Sequence, residues 1–275
     1  MRALELVASW PVPYAAAVVV AADGTVLDAT GDIDRRYALA SMTKMLTAWA
    51  VLVAVEEGTV ALDDPIGQPD CTLRHLLAHA GGYSLDDRRP VRPPAERRIY
   101  SNAGIELATE HVQAQTGLAF AGYLGEAVLG PLGMTATELV GSPAHGARST
   151  ARDMARFLAE AQRSALLDPA TAAAASQPHY PTLAGIVPGV GRFDPCPWGL
   201  GFEVRGGKSP HWTGRTNSPS TFGHFGASGT MAWIDPAAAV ALVALTDWRY
   251  DEWSADALRL WPALSDAVLA EMATA

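Results

Sequence analysis

The chain of 275 residues has two cysteines, Cys71 and Cys196, set far apart. Two thiols at that separation match no metal-ligand spacing and build no disulfide framework, so a reduced compartment is expected. Lysine is equally scarce. Of 20 basic residues only Lys44 and Lys208 are lysines, and each therefore asks for a reason. Positive charge as a whole is short: 20 Lys and Arg face 29 Asp and Glu, a formal net charge of -9. That balance argues against the broad basic face that gathers phosphates, and so against nucleic acid as a partner. Long apolar runs are missing too. The best, residues 45–55, is about half of the roughly 20 apolar residues that span a bilayer and belongs in a core. Residues 14–22 imitate a signal-peptide core. One Arg precedes them, Glu5, Pro11 and Pro13 interrupt the approach, and Asp23-Gly24 follows, which reads as a strand and turn. The expectation is a cytoplasmic chain without a membrane span.

What is present is a globular composition, 49% hydrophobic and 18% charged, enough for one large core. Residues 15–28 hold two β-rich runs around Ala-Asp-Gly, the chemistry of a tight hairpin. Residues 41–57 are apolar nearly all round and stop at Gly58, which predicts a buried central helix. A short helix is expected over 72–79. The Asp-, Arg- and Pro-rich stretch 84–98 lacks apolar periodicity and reads as an exposed loop. Helical signals follow at 102–116, 119–129 and 149–165. Residues 198–204 read as a strand, 229–235 and 239–247 as a second hairpin, and 252–272 as an amphipathic helix. Strands at both ends with helices between predict an α/β (α+β) fold: a mixed antiparallel sheet flanked by terminal helices, with an all-helical lobe inserted. The whole chain forms one domain in this reading, an α/β lobe over about 1–65 and 180–275 and a helical lobe over about 66–179.

Three short motifs carry chemistry. Ser41-Met42-Thr43-Lys44 opens the central helix, and a serine three residues before a lysine shares its helical face, so an amine can activate the hydroxyl. Ser41 at a helix N-terminus also meets backbone N–H groups that favour developing negative charge. A capping serine beside a solvated lysine is the ordinary alternative, but no charged residue follows Lys44 for eleven positions, and a lysine at the head of a buried helix is costly unless used. Tyr100-Ser101-Asn102 joins the irregular loop to a helix. There Tyr100 is expected beside Lys44, its phenol pKa lowered by the cation for proton shuttling, and Asn102 is expected to orient the lysine and a substrate amide. His224-Phe225-Gly226-Ala227 enters a β-rich run. A lone His-x-Gly is expected about 0.6 times by chance, whereas the three motifs in this order are expected of order 0.003 times.

Together these residues resemble the serine β-lactamase and penicillin-binding-protein superfamily, in its class C-like branch. Leu62-Asp63-Asp64-Pro65-Ile66, the run from Leu73 through His79 to Gly82, and Pro131-Leu132-Gly133-Met134 extend the likeness from about Ala15 to Asp247. The resemblance implies a β-lactamase/transpeptidase-like fold with the site between the lobes. It implies Ser41 as acylated nucleophile, Lys44 and Tyr100 sharing the proton traffic, and the N–H groups of Ser41 and Ala227 as oxyanion hole. Asn102, His224, Gly226 and Ala227 would hold the substrate. His224 stands where relatives carry a lysine, and Phe225 where they carry a hydroxyl that grips a carboxylate. The expected activity is a serine hydrolase acting on a small ester, amide or β-lactam, esterase-like above all. A catalytically degenerate binding module and a cell-wall D,D-carboxypeptidase are the alternatives. No metal or cofactor is implied. His79 is expected to be structural, Asp63-Asp64 a surface turn, and Trp198, Trp212 and Arg215 packing or loop residues near the cleft.

Overall fold

The computed structural model describes residues 1–274. After a 3-10 helix, Arg2–Ser9, come β1 (Ala15–Ala21), β2 (Val26–Gly31) and β3 (Tyr37–Ala38), then a 3-10 turn, Ala40–Met42, leading into α1 (Thr43–Glu56). Next are α2 (Leu73–Leu77), α3 (Asn102–Thr116), α4 (Phe120–Leu124), a π-helical turn over Gly125–Leu129, β4 (Glu138–Leu139), β5 (Ala147–Ser149), α5 (Ala151–Gln162) and α6 (Pro169–Ser176). The chain closes with β6 (Gly185–Val187), β7 (Gly191–Phe193), β8 (Glu203–Val204), β9 (Phe222–Gly226), β10 (Thr230–Asp235), β11 (Val240–Thr246) and α7 (Tyr250–Met272).

The main sheet runs β2-β1-β11-β10-β9-β8, antiparallel throughout. Strict period-2 alternation explains why β1, β10 and β11 are apolar on both faces. Val18 and Val20 join Ala232, Ile234, Val243 and Leu245 in a core shared with α1 and α5. Val19 joins Met231, Trp233 and Leu242 in a second core against α7 and the N-terminal 3-10 helix. Each large aliphatic side chain so buried contributes about 1.5–3 kcal/mol. The sheet is therefore a middle layer, and β9, near its edge, presents His224 to one side and Phe225 to the other.

The central helix forms as expected, buried on nearly every side because its sequence has no polar face. Asn102–Thr116 matches its predicted span, started by the Ser101 side chain accepting the Gly104 N–H and ended by Gly117 at φ +72°. The predicted strand over 198–204 is shorter. Trp198 bridges only Glu203, and the chain between folds back because Gly201, at φ +82°, sits against α1. The predicted helix over 149–165 starts later, since Ser149 belongs to β5, which pairs with β3 just before Ser41. A three-stranded sheet β3-β5-β4 thus ties residues 138–149 to the segment just before Ser41. Among the described residues no helix is long and apolar enough to cross a membrane.

Candidate active site

Ser41 lies half-buried in the 3-10 turn ahead of α1. Ala40 before it adopts φ +45°, a region that non-glycine residues occupy at a cost of about 1–3 kcal/mol. Neighbours hold it there. Thr230 Oγ1 donates to the Leu39 carbonyl at 3.1 Å and Ser228 Oγ to the Ala38 carbonyl at 2.6 Å, so the β9–β10 turn is stitched to the segment that aims Ser41. Gly226 permits this approach. A Cβ there would collide with the Leu39 carbonyl and stand 2.6 Å from Thr230 Oγ1. Gly226→Ala is accordingly expected to lose about 1–3 kcal/mol of stability by overpacking, measured by urea unfolding. An unchanged midpoint would show that the two segments yield freely. Neither the N–H of Ser41 nor that of Ala227 donates a hydrogen bond among the described residues.

Lys44 is fully buried on the first turn of α1. Its Nζ donates to Asn102 Oδ1 at 2.6 Å, to the Ala144 carbonyl at 2.9 Å and to Ser41 Oγ at 3.3 Å. These acceptors replace water only in part, and burial pushes the ammonium down to about 7, against the pull of Asp86 and Glu106. The Nζ also stands 4.7 Å from the centre of the Tyr100 ring.

Tyr100 is beside Lys44 as expected, but its acidity runs the other way. Burial raises the phenol above its ordinary value, and a hydrogen bond with Ser41 lowers it only in part. The sequence expectation of a phenol acidified by the cation fails because desolvation outweighs everything else acting on it. His224 is buried as well and is pushed down to about 3, mainly by burial and then by Lys44, so the imidazole is neutral. Its Nδ1–H donates to the Phe225 carbonyl at 2.6 Å, which leaves Nε2 as an acceptor for the Tyr100 hydroxyl at 3.2 Å. The tautomer is thereby fixed.

Ser41, Lys44, Tyr100, Asn102 and His224 come together, and Gly226 lies against Leu39 and Ala40 just before Ser41. Phe225 turns away from His224 into the second core, where its ring meets Trp212, Tyr250 and Trp261. Trp212 is buried there and donates to Glu203 Oε2 at 2.7 Å, while Arg215 is exposed. Trp198 packs edge-on to His224 and close to Tyr100. His79 accepts the Ser101 N–H at Nδ1, 3.2 Å away, and packs its ring on Tyr100. Asp63 pairs with Arg74, and Asp64 accepts the Ala61 N–H and meets His111. The second lysine also has a reason. Lys208 is buried against Glu203 at 2.8 Å in a cluster with His211, packing beneath Trp198. Two contributors escaped the sequence reading: the Ala144 carbonyl, a backbone group no motif can mark, and Asp86, whose Oδ1 accepts from Asn102 Nδ2 at 2.8 Å. Among the described residues no group of His, Cys, Asp and Glu is arranged to hold a metal ion.

Comparison with known proteins bears on the family and the fold. A family model described as Beta-lactamase matches residues 12–265. A solved structure of a β-lactamase from Mycobacterium bovis is 49% identical, with a TM-score of 0.95 over 98% of this chain and 99% of that one. At 19% identity, simvastatin synthase (LovD) from Aspergillus terreus superposes with a TM-score of 0.81 over 97% of this chain and 96% of its own. EstCE1, a hydrolase with promiscuous acyltransferase activity, is 17% identical with a TM-score of 0.79 over 97% and 96%. These two likenesses speak to the fold. A curated relative, an uncharacterized protein from Alkalihalophilus pseudofirmus, is 31% identical over 99 residues, 32% of this chain and 30% of that protein. The sheet between two cores, the helical insert and the family match lead to one assignment: the chain belongs to the Beta-lactamase family, within the serine β-lactamase and penicillin-binding-protein superfamily, and has its fold.

Proposed function

We propose that the chain is a serine hydrolase that works through an acyl-enzyme on Ser41, with small neutral esters or amides as its preferred substrates. The observation that carries this reading is a fully buried lysine amine 3.3 Å from the hydroxyl of half-buried Ser41, its ammonium pushed down to about 7. Lys44 as free amine takes the Ser41 proton while Oγ bonds to the substrate carbonyl carbon. The carbonyl oxygen receives the displaced electron pair and is met by the N–H groups of Ser41 and Ala227. Collapse breaks the bond to the leaving group, which departs with a proton passed back from Lys44 by way of the Tyr100 hydroxyl. Tyr100 enters as a neutral phenol, its proton directed at His224 Nε2, so it relays protons and does not act as a resting phenolate. Water then repeats the attack in reverse roles and frees Ser41. Asn102 holds Lys44 through Oδ1. Its Nδ2 is engaged by Asp86, so a substrate amide must compete for it.

The β-lactamase relative at 49% identity brings β-lactams forward as a second substrate class for the same serine. The test of the shared chemistry is covalent. A fluorophosphonate is expected to modify Ser41 alone among the 14 serines, read by peptide mass spectrometry, with hydrolysis of nitrophenyl butyrate lost in Ser41→Ala. An unlabelled wild-type protein without ester turnover would instead mark an inert binding scaffold.

A further inference from the structure

We propose that Asp86 is a positioning residue of this site: its carboxylate holds the Asn102 amide with Oδ1 turned to Lys44 and places a negative charge behind that amide. The inference rests on the reading that Lys44 serves Ser41, but its physical content is separate. Asn102 is the first residue of α3, and the loop carrying Asp86 is fastened to that helix start. The Ser84 carbonyl accepts from Ser101 Oγ at 2.7 Å, and the Leu85 carbonyl accepts the N–H groups of Asn102 and Ala103 at 2.6 and 3.1 Å. Asp86 is thus placed by backbone bonds although the loop around it is exposed.

A side-chain amide offers an acceptor on one side and donors on the other. An ammonium on one side and a carboxylate on the other satisfy a single orientation, since the flipped amide would aim its NH2 at Lys44 and its oxygen at Asp86. Arg88, two residues along, directs its guanidinium to Glu110 and Glu106 and so leaves Asp86 to Asn102. The groups around Lys44 are then the Asp86 carboxylate from the loop, Glu106 and Asn102 from α3, the Tyr100 ring, and the uncharged imidazoles of His79 and His224. Glu106 is itself engaged by Ser142 Oγ at 2.6 Å. Of the two carboxylates, only Asp86 is bonded through an amide to the lysine.

With two lysines in the chain, protein labelled with 13C at lysine Cε gives two resonances, and Lys44→Arg assigns them. Asp86→Asn keeps an acceptor for Asn102 but removes the charge, and is expected to lower the Lys44 titration midpoint by about half a pH unit. Asp86→Glu restores it. Asp86→Ala also frees the amide and is expected to slow fluorophosphonate labelling of Ser41 by about tenfold. A Lys44 midpoint unmoved by Asp86→Asn, with labelling unmoved by Asp86→Ala, overturns the proposal. A midpoint that moves while Ser41 is unlabelled in every form, wild type included, supports the Asp86 coupling and sinks the hydrolase reading instead.

Discussion

Lys44→Met is expected to reduce kcat/KM for a neutral ester by two to four orders of magnitude, the range that a positioned general base contributes. In the wild type the same quantity should rise about tenfold per pH unit below pH 7 and level off above it. The sign follows from burial. Desolvation disfavours the charged form of Lys44, so the ammonium gives up its proton near 7, and only the free amine has the lone pair that can accept the Ser41 proton. Below that midpoint the base is blocked, and above it nothing further is gained. Tyr100, raised above its ordinary range, and His224, neutral above about pH 3, add no break between pH 5 and 9. Methionine matches the lysine stem in length and needs no polar partner, so the substitution removes the amine without burying a bare charge. Initial rates from pH 5 to 9 with circular dichroism of the variant provide the measurement. A flat wild-type profile, or a Lys44→Met enzyme within tenfold of wild type, would remove Lys44 from the role of base.

The parts of the site legible in the sequence are those that geometry makes local. A serine and a lysine three residues apart on a helix must share a face, and the apolar run after Lys44 announced that the face was buried. The Tyr100 and His224 motifs were visible as patterns, and their meeting 124 residues apart depends on the sheet bringing β9 beside the loop before α3. What escaped notice has physical causes. Strands of two or three residues, such as β3, β4 and β5, are too short to show a period, so the small sheet beside the Ser41 segment has no signature in the sequence. The sequence over 198–204 predicts one strand, yet Gly199 and Gly201 let the chain turn against α6 and α1. The acidity of Tyr100 was read from a neighbouring cation, while the removal of water, which only the packed structure reveals, is the stronger influence. Asp86 sits in a run of charged residues where nothing local sets it apart from Asp87 or Arg88.

Substrate charge is where the site departs furthest from an anion-binding cleft, and a short-chain nitrophenyl ester is expected to exceed penicillins in kcat/KM by about tenfold to a hundredfold. His224 is neutral at working pH and directs Nδ1 to the Phe225 carbonyl and Nε2 to Tyr100, so it offers a substrate carboxylate neither charge nor a spare proton. Phe225 supplies no hydroxyl, its ring being packed among Trp212, Tyr250 and Trp261. Asp86 adds a negative charge next to Asn102. One missing charge-assisted hydrogen bond is worth about 1.5–3 kcal/mol, which sets the size of the expected preference. His224→Lys is the direct probe, because replacing Phe225 would empty an aromatic core at a cost of about 3 kcal/mol or more and confuse stability with specificity. A new ammonium there gives a carboxylate a partner and, by repulsion, moves the Lys44 limb of the ester profile to lower pH. Both substrates measured on wild type and His224→Lys from pH 5 to 9 should show the ester preference narrowing in the variant. Wild-type penicillin turnover that equals or exceeds ester turnover, with a ratio indifferent to residue 224, would mean that a cation elsewhere holds the carboxylate and that neutrality at His224 does not govern selection.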